Sequence, residues 1–488
     1  MKKKYSLLKV LAVLLFLVVV ATYFIESRNG EIEYLAIVDV FFNFVQSFYY
    51  FFDTALFILV VGGFYGLLNR IPAYKMVVQG IANKMNKKSK LFVIVVTVAF
   101  ALLSSLTGLN LLLLIFVPFV ISIILLLGYD KLVALSATVG GILVGFIGGI
   151  FVTFKDASSQ YATSYTTFEK MVGLKSHWSL ATTLPKCLLL VIGIVLLVIY
   201  IISYIKNTDS KENKLSLVKT DPLLVEIKDK SALKGKSKDS YNVKVWPLIL
   251  VVSIMVIFLI LGYMPWSDLF GVDCFTKFHT WLTGISIGKY QIFTNLISGN
   301  ITSFGTWSDL GNYMMAIFSL CFFGWILSLI YRVRFDDAMD GFVYGVKKML
   351  IPTMTVMLAY CVLVCSYNNG FIDTIITTAG KSFGDNVVVH SLITMLGSVL
   401  NVDLYYTSAG IFTSIISSLT DKANLSVYAV MFQSFYGLIQ FVGPTSLLLV
   451  VGLSYLEVPY KSWLKYIWRF IVELLIAIFV LLMIVSLL

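Results

Sequence analysis

The chain has 488 residues, of which 59% are hydrophobic and only 13% are charged, and its formal net charge is +11. This composition excludes a soluble globular protein of that length and predicts a polytopic membrane protein. The excess of Lys and Arg is interpreted as topological, because cytoplasmic segments of membrane proteins are rich in these residues, and it gives no reason to expect nucleic acid as a partner.

The first half, residues 1–205, contains four predicted membrane helices: Tyr5–Ile25, Thr54–Asn69, Leu132–Phe151 and Leu184–Ile205. Between helices one and two, the aromatic segment Glu26–Asp53 is expected to lie along the membrane interface or in the outer leaflet. The basic amphipathic stretch Arg70–Lys90 predicts a helix on the cytoplasmic surface.

A re-entrant hairpin is predicted over residues 91–127. Two apolar arms, Leu91–Leu103 and Leu111–Leu127, flank a polar tip. At about 1.5 Å per residue, these arms are short against a hydrocarbon core of about 30 Å. The chain is therefore expected to enter and leave by the same face. Its candidate substrate-binding residues are Ser104, Ser105, Thr107, Gly108 and Asn110.

Residues 206–244 separate the halves and carry ten lysines and six acids without hydrophobic periodicity. This composition predicts a flexible cytoplasmic linker. The second half, residues 245–488, contains five further predicted membrane helices: Val245–Met264, Gly311–Tyr331, Met349–Tyr367, Leu425–Leu453 and Tyr466–Leu488. The mixed segment Trp266–Leu310 is placed outside, and the charged segment Arg332–Lys348 is expected at the cytoplasmic face.

A second re-entrant hairpin is predicted over residues 387–419, with arms Val387–Leu400 and Ile411–Leu419. Its polar centre supplies the candidate residues Asn401, Asp403, Thr407 and Ser408. An ionisable group at membrane depth usually faces a cavity or a partner, which makes Asp403 the leading candidate for a cationic substrate group or a proton. The alternative is a polar surface loop in which Asp403 caps the short helix that follows.

Helix breaks are predicted at Gly148-Gly149 in helix three and at Gly443-Pro444 in helix eight. Interrupted membrane helices at corresponding places in two halves are the pattern of a transporter binding site. Thr445 and Ser446 join the candidate substrate-binding residues together with Gly443 and Pro444. Their hydroxyls and the freed backbone N–H groups suit a carboxylate, while unwound carbonyls suit a cation.

Most of the 37 Lys and Arg residues fall in segments assigned to the side that holds the N-terminus, which predicts a cytoplasmic N-terminus in the cell membrane. Lys186 counts among the few on the outer side. With this topology the two hairpins enter from opposite faces. The predicted fold is an all-α membrane protein with two inverted repeats, nine membrane helices and two hairpins.

A secondary carrier is the preferred function. An intramembrane enzyme and a channel are the rival classes, and neither a catalytic constellation nor a P-loop stands out. The five scattered cysteines and three histidines predict no metal site. No cofactor is expected beyond a coupling cation, H⁺ or Na⁺. Lipid and a small-molecule substrate are the expected partners, and a homodimer through scaffold helices is left open.

Three stretches of the first half, Gly62–Leu68, Leu127–Leu135 and Val144–Phe146, resemble the YfcC-like carriers, which belong with the C4-dicarboxylate anaerobic carriers of the ion transporter superfamily. Phe432-Gln433, Gly443–Ser446 and Val458–Lys465 resemble the second half of the same carriers. The resemblance implies a scaffold and a mobile transport domain that moves like an elevator. It adds Gln433 to the candidate substrate-binding residues.

The resemblance also implies substrates among the C4-dicarboxylates and the basic amino acids, including arginine/ornithine exchange. Asp403 is the one acid in the predicted site, and a single acid suits an amino acid better than a dianion. The sequence therefore favours basic amino acid exchange. The alternative is a C4-dicarboxylate or other carboxylate carrier coupled to H⁺ or Na⁺.

Overall fold

A computed structural model describes residues 5–25, 34–155, 163–167, 180–209, 243–264, 266–267, 271–307, 313–369, 374–375, 378, 386–400, 411–412, 415–416 and 425–487. Over these residues the chain is mainly helical, with two short antiparallel ribbons. Only the ends of the linker, 206–209 and 243–244, fall within the described residues.

The described helices of the first half are α1 (Ser6–Thr22), α2 (Ile37–Tyr50), α3 (Phe52–Leu68), α4 (Pro72–Met85), α5 (Ser89–Thr107), α6 (Val117–Leu126), α7 (Lys131–Leu135), α8 (Gly141–Ile147) and α9 (Leu180–Asp209). A π-helical turn, Ser136–Gly140, joins α7 to α8, and a 3₁₀ turn, Leu112–Ile115, precedes α6. Strands β1 (Phe151–Lys155) and β2 (Thr163–Thr167) pair with Phe151 opposite Thr167.

The described helices of the second half are α10 (Trp246–Tyr263), α11 (Cys274–Gly284), α12 (Ile292–Leu296), α13 (Met314–Ile330), α14 (Phe335–Asn369), α15 (Val387–Leu400), α16 (Leu425–Ile439), α17 (Leu447–Tyr455) and α18 (Tyr460–Leu487). The two-residue strands β3 (Ser286–Ile287) and β4 (Tyr290–Gln291) form a tight ribbon in the segment predicted to lie outside.

Five described helices are long and apolar enough to cross a membrane by themselves: Pro72–Thr107, Thr182–Thr208, Trp246–Tyr263, Phe335–Ser366 and Tyr460–Ile484. The pair α2 and α3, bent by 67°, makes a sixth if it counts as one span. These lengths establish a multi-pass membrane protein, while the count of nine full crossings stays a prediction. Helices one, three and six each extend over 17 residues, the lower limit for a span of about 17–25 residues.

Helix α2 has its apolar side chains outside and its polar side chains inside, the reverse of a helix on a water-soluble protein. Its apolar side chains Ile37, Val38 and Phe41 are exposed, whereas its polar Asn43 and Ser47 are buried. Ser47 donates to the carbonyl oxygen of Met357 on α14 at 3.2 Å. The outward face of α2 is therefore apolar, as expected for a helix that lies in or along a membrane.

The centre of the molecule is the contact between α3 and α14. A Cβ atom placed on Gly66 would lie 2.1 Å from the carbonyl oxygen of Gly341, and one on Gly345 would lie 2.0 Å from that of Gly62. Glycines four residues apart on both helices therefore let the two backbones touch, as in membrane helix pairs generally.

The first predicted hairpin closes on itself. After α5 and α6, the Tyr129 hydroxyl donates to the Ser89 hydroxyl at 2.9 Å, so the end of the second arm lies beside the start of the first. The first arm is longer than predicted, since α5 has 19 residues and reaches about 28 Å. The predicted arm of Leu91–Leu103 was too short because α5 continues through Ser104 and Ser105.

Three other boundaries differ from the sequence predictions. Helix three ends at Ile147, so Gly148 and Gly149 end it and do not interrupt it, and residue 151 already belongs to β1. Helix seven begins at Phe335 and not at Met349, because the charged segment expected at the cytoplasmic face runs without a break into the apolar part of α14. Helix nine begins at Tyr460, six residues before its predicted start.

Candidate functional site

The tip of the first hairpin is formed by the end of α5. Gly108 adopts a left-handed conformation with φ of 63°, and its N–H donates to the carbonyl oxygen of Ser104, which terminates the helix. Ser104 and Ser105 in the last turn are both buried, whereas Thr107 and Asn110 are half-buried. The Thr107 hydroxyl donates to the Leu103 carbonyl at 2.5 Å, so its hydrogen bond stays within α5.

The two serines bind the tip to helix three. Ser104 donates to the carbonyl oxygen of Ile142 at 2.7 Å and lies 2.5 Å from the side-chain oxygen of Asn110. Ser105 donates to the carbonyl oxygen of Gly148 at 2.8 Å, and its own carbonyl accepts from the N–H of Ile150 at 3.0 Å. Gly148 is the C-cap of α8, so helix geometry leaves its carbonyl without a partner inside the helix, and the hairpin tip supplies one.

Glycine is required on the helix-three side of this contact. A Cβ on Gly145 would lie 2.2 Å from the carbonyl oxygen of Ala101, and one on Gly148 would lie 2.7 Å from that of Lys186. Side chains at either position would push α5 or α9 away from α8, and the hydrogen bonds of Ser104 and Ser105 depend on that closeness.

Gln433 connects the second half of the chain to the end of helix three. Its amide nitrogen donates to the carbonyl oxygens of Gly149 at 2.7 Å and Phe146 at 3.3 Å. The side chain is completely buried, and its Oε1 has no hydrogen-bond partner among the described residues. A buried acceptor without a partner costs roughly 1–3 kcal/mol, so this atom has room in its bonding for a donor or a cation.

The second half contains a broken helix. Helix α16 ends at Ile439 and α17 begins at Leu447, with Gly443 and Pro444 between them. Both residues are buried, as are Thr445 and Ser446. Thr445 donates to the carbonyl oxygen of Val399 at the end of α15, at 2.6 Å. The Ser446 hydroxyl is buried without a hydrogen-bond partner in the described part of the chain.

Sequence reasoning missed the residues that hold this break open. The indole N–H of Trp463 donates to the carbonyl oxygen of Phe441 at 2.8 Å, and the Tyr460 hydroxyl donates to that of Val442. Both donors lie in the stretch Val458–Lys465, which resembles the carrier family but was given no predicted role. Two aromatic donors one turn apart, directly after Pro459, were the available signal.

Asn401, Asp403, Thr407 and Ser408 lie outside the described residues. The described candidates form two groups: the hairpin tip with the end of helix three and Gln433, and the break of helix eight with the end of α15. Helix α16 carries Gln433 and leads directly into the break, so it links the two groups.

The named side chains of this cluster offer hydroxyl and amide groups, which suit reversible hydrogen bonding of a small polar molecule or an ion. Within the ranges that the structure describes, no three His, Cys, Asp or Glu residues are grouped so that they could hold a metal ion.

One sequence family matches nearly the whole chain. The sequence model of the C4-dicarboxylate anaerobic carrier family (DcuC) matches residues 45–486. No curated protein matches the chain. Among solved structures, the YdaH transporter of Alcanivorax borkumensis is similar over 97% of this chain and 96% of its own, with 11% sequence identity and a TM-score of 0.37.

Proposed function

Because the chain belongs to the C4-dicarboxylate anaerobic carrier family, we propose that it is a secondary active transporter of small carboxylate-bearing metabolites across the cell membrane. One observation carries the location of its site: the first hairpin tip, the end of helix three and Gln433 of the second half share hydrogen bonds in the interior. Carriers commonly bind substrate where helix ends and broken helices of the two halves meet.

Two buried polar atoms define what the substrate and its coupling ion supply. The Ser446 hydroxyl is a donor suited to a carboxylate oxygen, and Gln433 Oε1 is an acceptor suited to a substrate hydroxyl, an ammonium group or Na⁺. In this proposal both atoms gain their missing hydrogen bonds or coordination only when substrate and cation are bound. Either H⁺ or Na⁺ is compatible with this chemistry.

Transport by movement of the hairpin region against a scaffold is the proposed mechanism. The scaffold is α3 with α14, which form the glycine contact described above. An apolar seam separates it from the hairpin and α17; it is lined by Ile58, Val61, Leu114, Val117, Pro118, Met349, Val451, Gly452 and Tyr455. One hydrogen bond crosses between the two bodies, from the Tyr65 hydroxyl of α3 to the carbonyl oxygen of Ile115 in the hairpin. The rest of the seam is apolar, which suits one body sliding along the other once that bond is broken. Inverted repeats, a cytoplasmic N-terminus and a homodimer through the scaffold belong to the same proposal.

A basic amino acid is the second candidate substrate. It rests on Asp403, which would pair with a guanidinium or ammonium group. Under this hypothesis, Asp403→Asn abolishes arginine uptake in proteoliposomes while the folded yield stays unchanged. Unchanged arginine uptake by the variant removes Asp403 from the site.

Counterflow in liposomes tests the proposed function. The purified protein is reconstituted with unlabelled succinate, malate, arginine or ornithine inside, and uptake of each labelled compound is followed. We expect saturable exchange of at least one carboxylate, with sensitivity to a Na⁺ or H⁺ gradient revealing the coupling ion. Linear, unsaturable flux indicates a channel, and conversion of the label to a product indicates an enzyme; either result overturns the proposal.

A further inference from the structure

A lysine is buried inside the membrane-spanning part of α9. Lys186 is only 2% exposed and lies within the apolar span Thr182–Thr208. Placing a charged side chain at membrane depth costs roughly 2.5–3.5 kcal/mol on insertion scales, and such residues usually pair with other polar groups and mark a substrate or ion pathway. The assignment of Lys186 to the outer side of the membrane stays a prediction, while its burial shows that the side chain lies inside the protein.

The position of Lys186 on α9 brings its backbone to the end of helix three. The Lys186 carbonyl and the Leu190 side chain both lie against Gly148, at 2.7 and 2.5 Å from the position of its Cβ. Further along the helix, Gly193 contacts Val144 and Leu197 contacts Gly140. Residues 186, 190, 193 and 197 follow helical spacing, so they form one face, and this face is turned towards helix three.

The end of helix three is therefore shared by three groups. Ser105 donates to the carbonyl of Gly148, Gln433 donates to that of Gly149, and Lys186 lies on the opposing helix at the same level. Ser105 and Gln433 are neutral, so Lys186 brings formal charge to this group of three. Helix α9 begins at Leu180, and its positive N-terminal end adds to the potential of the lysine.

We propose that Lys186 is a specificity-determining residue of the substrate site, where its ammonium group attracts one carboxylate of a dicarboxylate substrate. This inference rests on the proposed function and refines it: the site prefers a dianion to a monoanion of the same size. A lysine next to the C-terminal end of α8 could also act only by stabilising that helix end. The two roles predict different dependence on substrate charge.

The test compares succinate with succinamate, its monoamide, which has nearly the same size and one charge less. Counterflow KM and maximal rate are measured for the unaltered chain, Lys186→Met, Lys186→Arg and Lys206→Met. Lys206 lies exposed near the other end of α9 and is the matched control. We expect Lys186→Met to raise the KM for succinate at least about tenfold, as loss of one partner of a buried charge pair does, with a much smaller change for succinamate. Lys186→Arg keeps the preference for succinate, and Lys206→Met changes neither substrate.

An equal loss for both substrates, or an unchanged KM for succinate, overturns the role of Lys186. If Lys186→Met is not recovered as folded protein, Lys186→Gln removes the charge while keeping a hydrogen-bonding side chain and carries the same comparison. Loss of the succinate preference in folded Lys186→Arg also overturns the inference. Absence of any carboxylate exchange by the unaltered chain overturns the proposed function itself, so the two failures are distinguishable.

Discussion

Two pairs of helices in the molecule pack equally closely through glycines, but their contacts differ in chemistry. In the scaffold, Gly345 of α14 lies against the Gly62 carbonyl of α3; at the hairpin, Gly145 of α8 lies against the Ala101 carbonyl of α5. The hairpin contact also carries Ser104 and Ser105, whose hydroxyls bond to helix-three carbonyls, and it is extended by Gln433. Close backbone packing stabilises both contacts. Polar groups beyond the needs of packing occur at the second, which is why we place transport there.

The largest expected effect is a loss of stability when a side chain is added at the glycine contact between α3 and α14. The Cβ of Gly345→Ala would lie 2.0 Å from a backbone oxygen of α3, so the two helices must separate. We expect a loss of about 1–3 kcal/mol or more, seen as a lower melting temperature and a low yield of monodisperse protein in detergent. Gly80→Ala is the matched control, because nothing lies within 4 Å of that position and the change favours the helix. Equal melting temperatures for the two variants would show that α3 and α14 are not in contact.

At the hairpin contact, Gln433→Ala is expected to reduce carboxylate counterflow at least about tenfold, because it removes the donor to two carbonyls and the acceptor proposed for substrate or cation. The melting temperature and the transport rate are both measured. Gln46→Ala, on the lipid-facing helix α2, serves as control and should transport normally. Full transport by Gln433→Ala would separate the hydrogen-bonded junction from function.

Ser446→Ala is expected to lower transport several-fold with little change in stability, since the hydroxyl has no partner among the described residues. Its control, Ser434→Ala, removes a hydroxyl that already donates to the Val430 carbonyl at 2.6 Å. The control should leave transport unchanged. The reverse pattern, with Ser434→Ala inactive and Ser446→Ala active, contradicts a substrate role for Ser446.

The smallest effect is expected at the donors that hold the break of helix eight. Tyr460→Phe removes the hydrogen bond to the Val442 carbonyl and should lower stability by about 0.5–1.5 kcal/mol, measured as a small fall in melting temperature. Tyr23→Phe, at a partly exposed hydroxyl with a long 3.4 Å hydrogen bond, is the control and should change stability less. A larger fall for Tyr23→Phe would mean that the break is not held by Tyr460.

Local features of the fold could be predicted from the sequence. Runs of apolar residues predicted most of the helices. Gly443-Pro444 marked the interruption between α16 and α17, since Pro has no N–H to continue a helix. These signals are contained within a few neighbouring residues.

Contacts between distant segments could not be predicted in the same way. Gln433 bonds to a carbonyl 284 positions earlier in the chain, and nothing in its neighbourhood indicates that partner. The burial of Lys186 was also not predicted, because charge counting considers only the side of the membrane to which a lysine belongs. The start of α14 was missed because a helix that leaves the membrane changes from apolar to charged without a break. The roles assigned to Asn401, Asp403, Thr407 and Ser408 stay predictions.

The most direct test of the substrate site uses a single reactive thiol. Ser446→Cys is introduced into a chain whose five native cysteines are replaced by alanine and which retains counterflow. The rate of modification by a membrane-impermeant thiol reagent is then measured from each side of the membrane, with and without saturating substrate. Binding at the junction predicts modification from both sides in alternation and a several-fold slower rate with substrate present. The same rate with and without substrate would contradict the assignment.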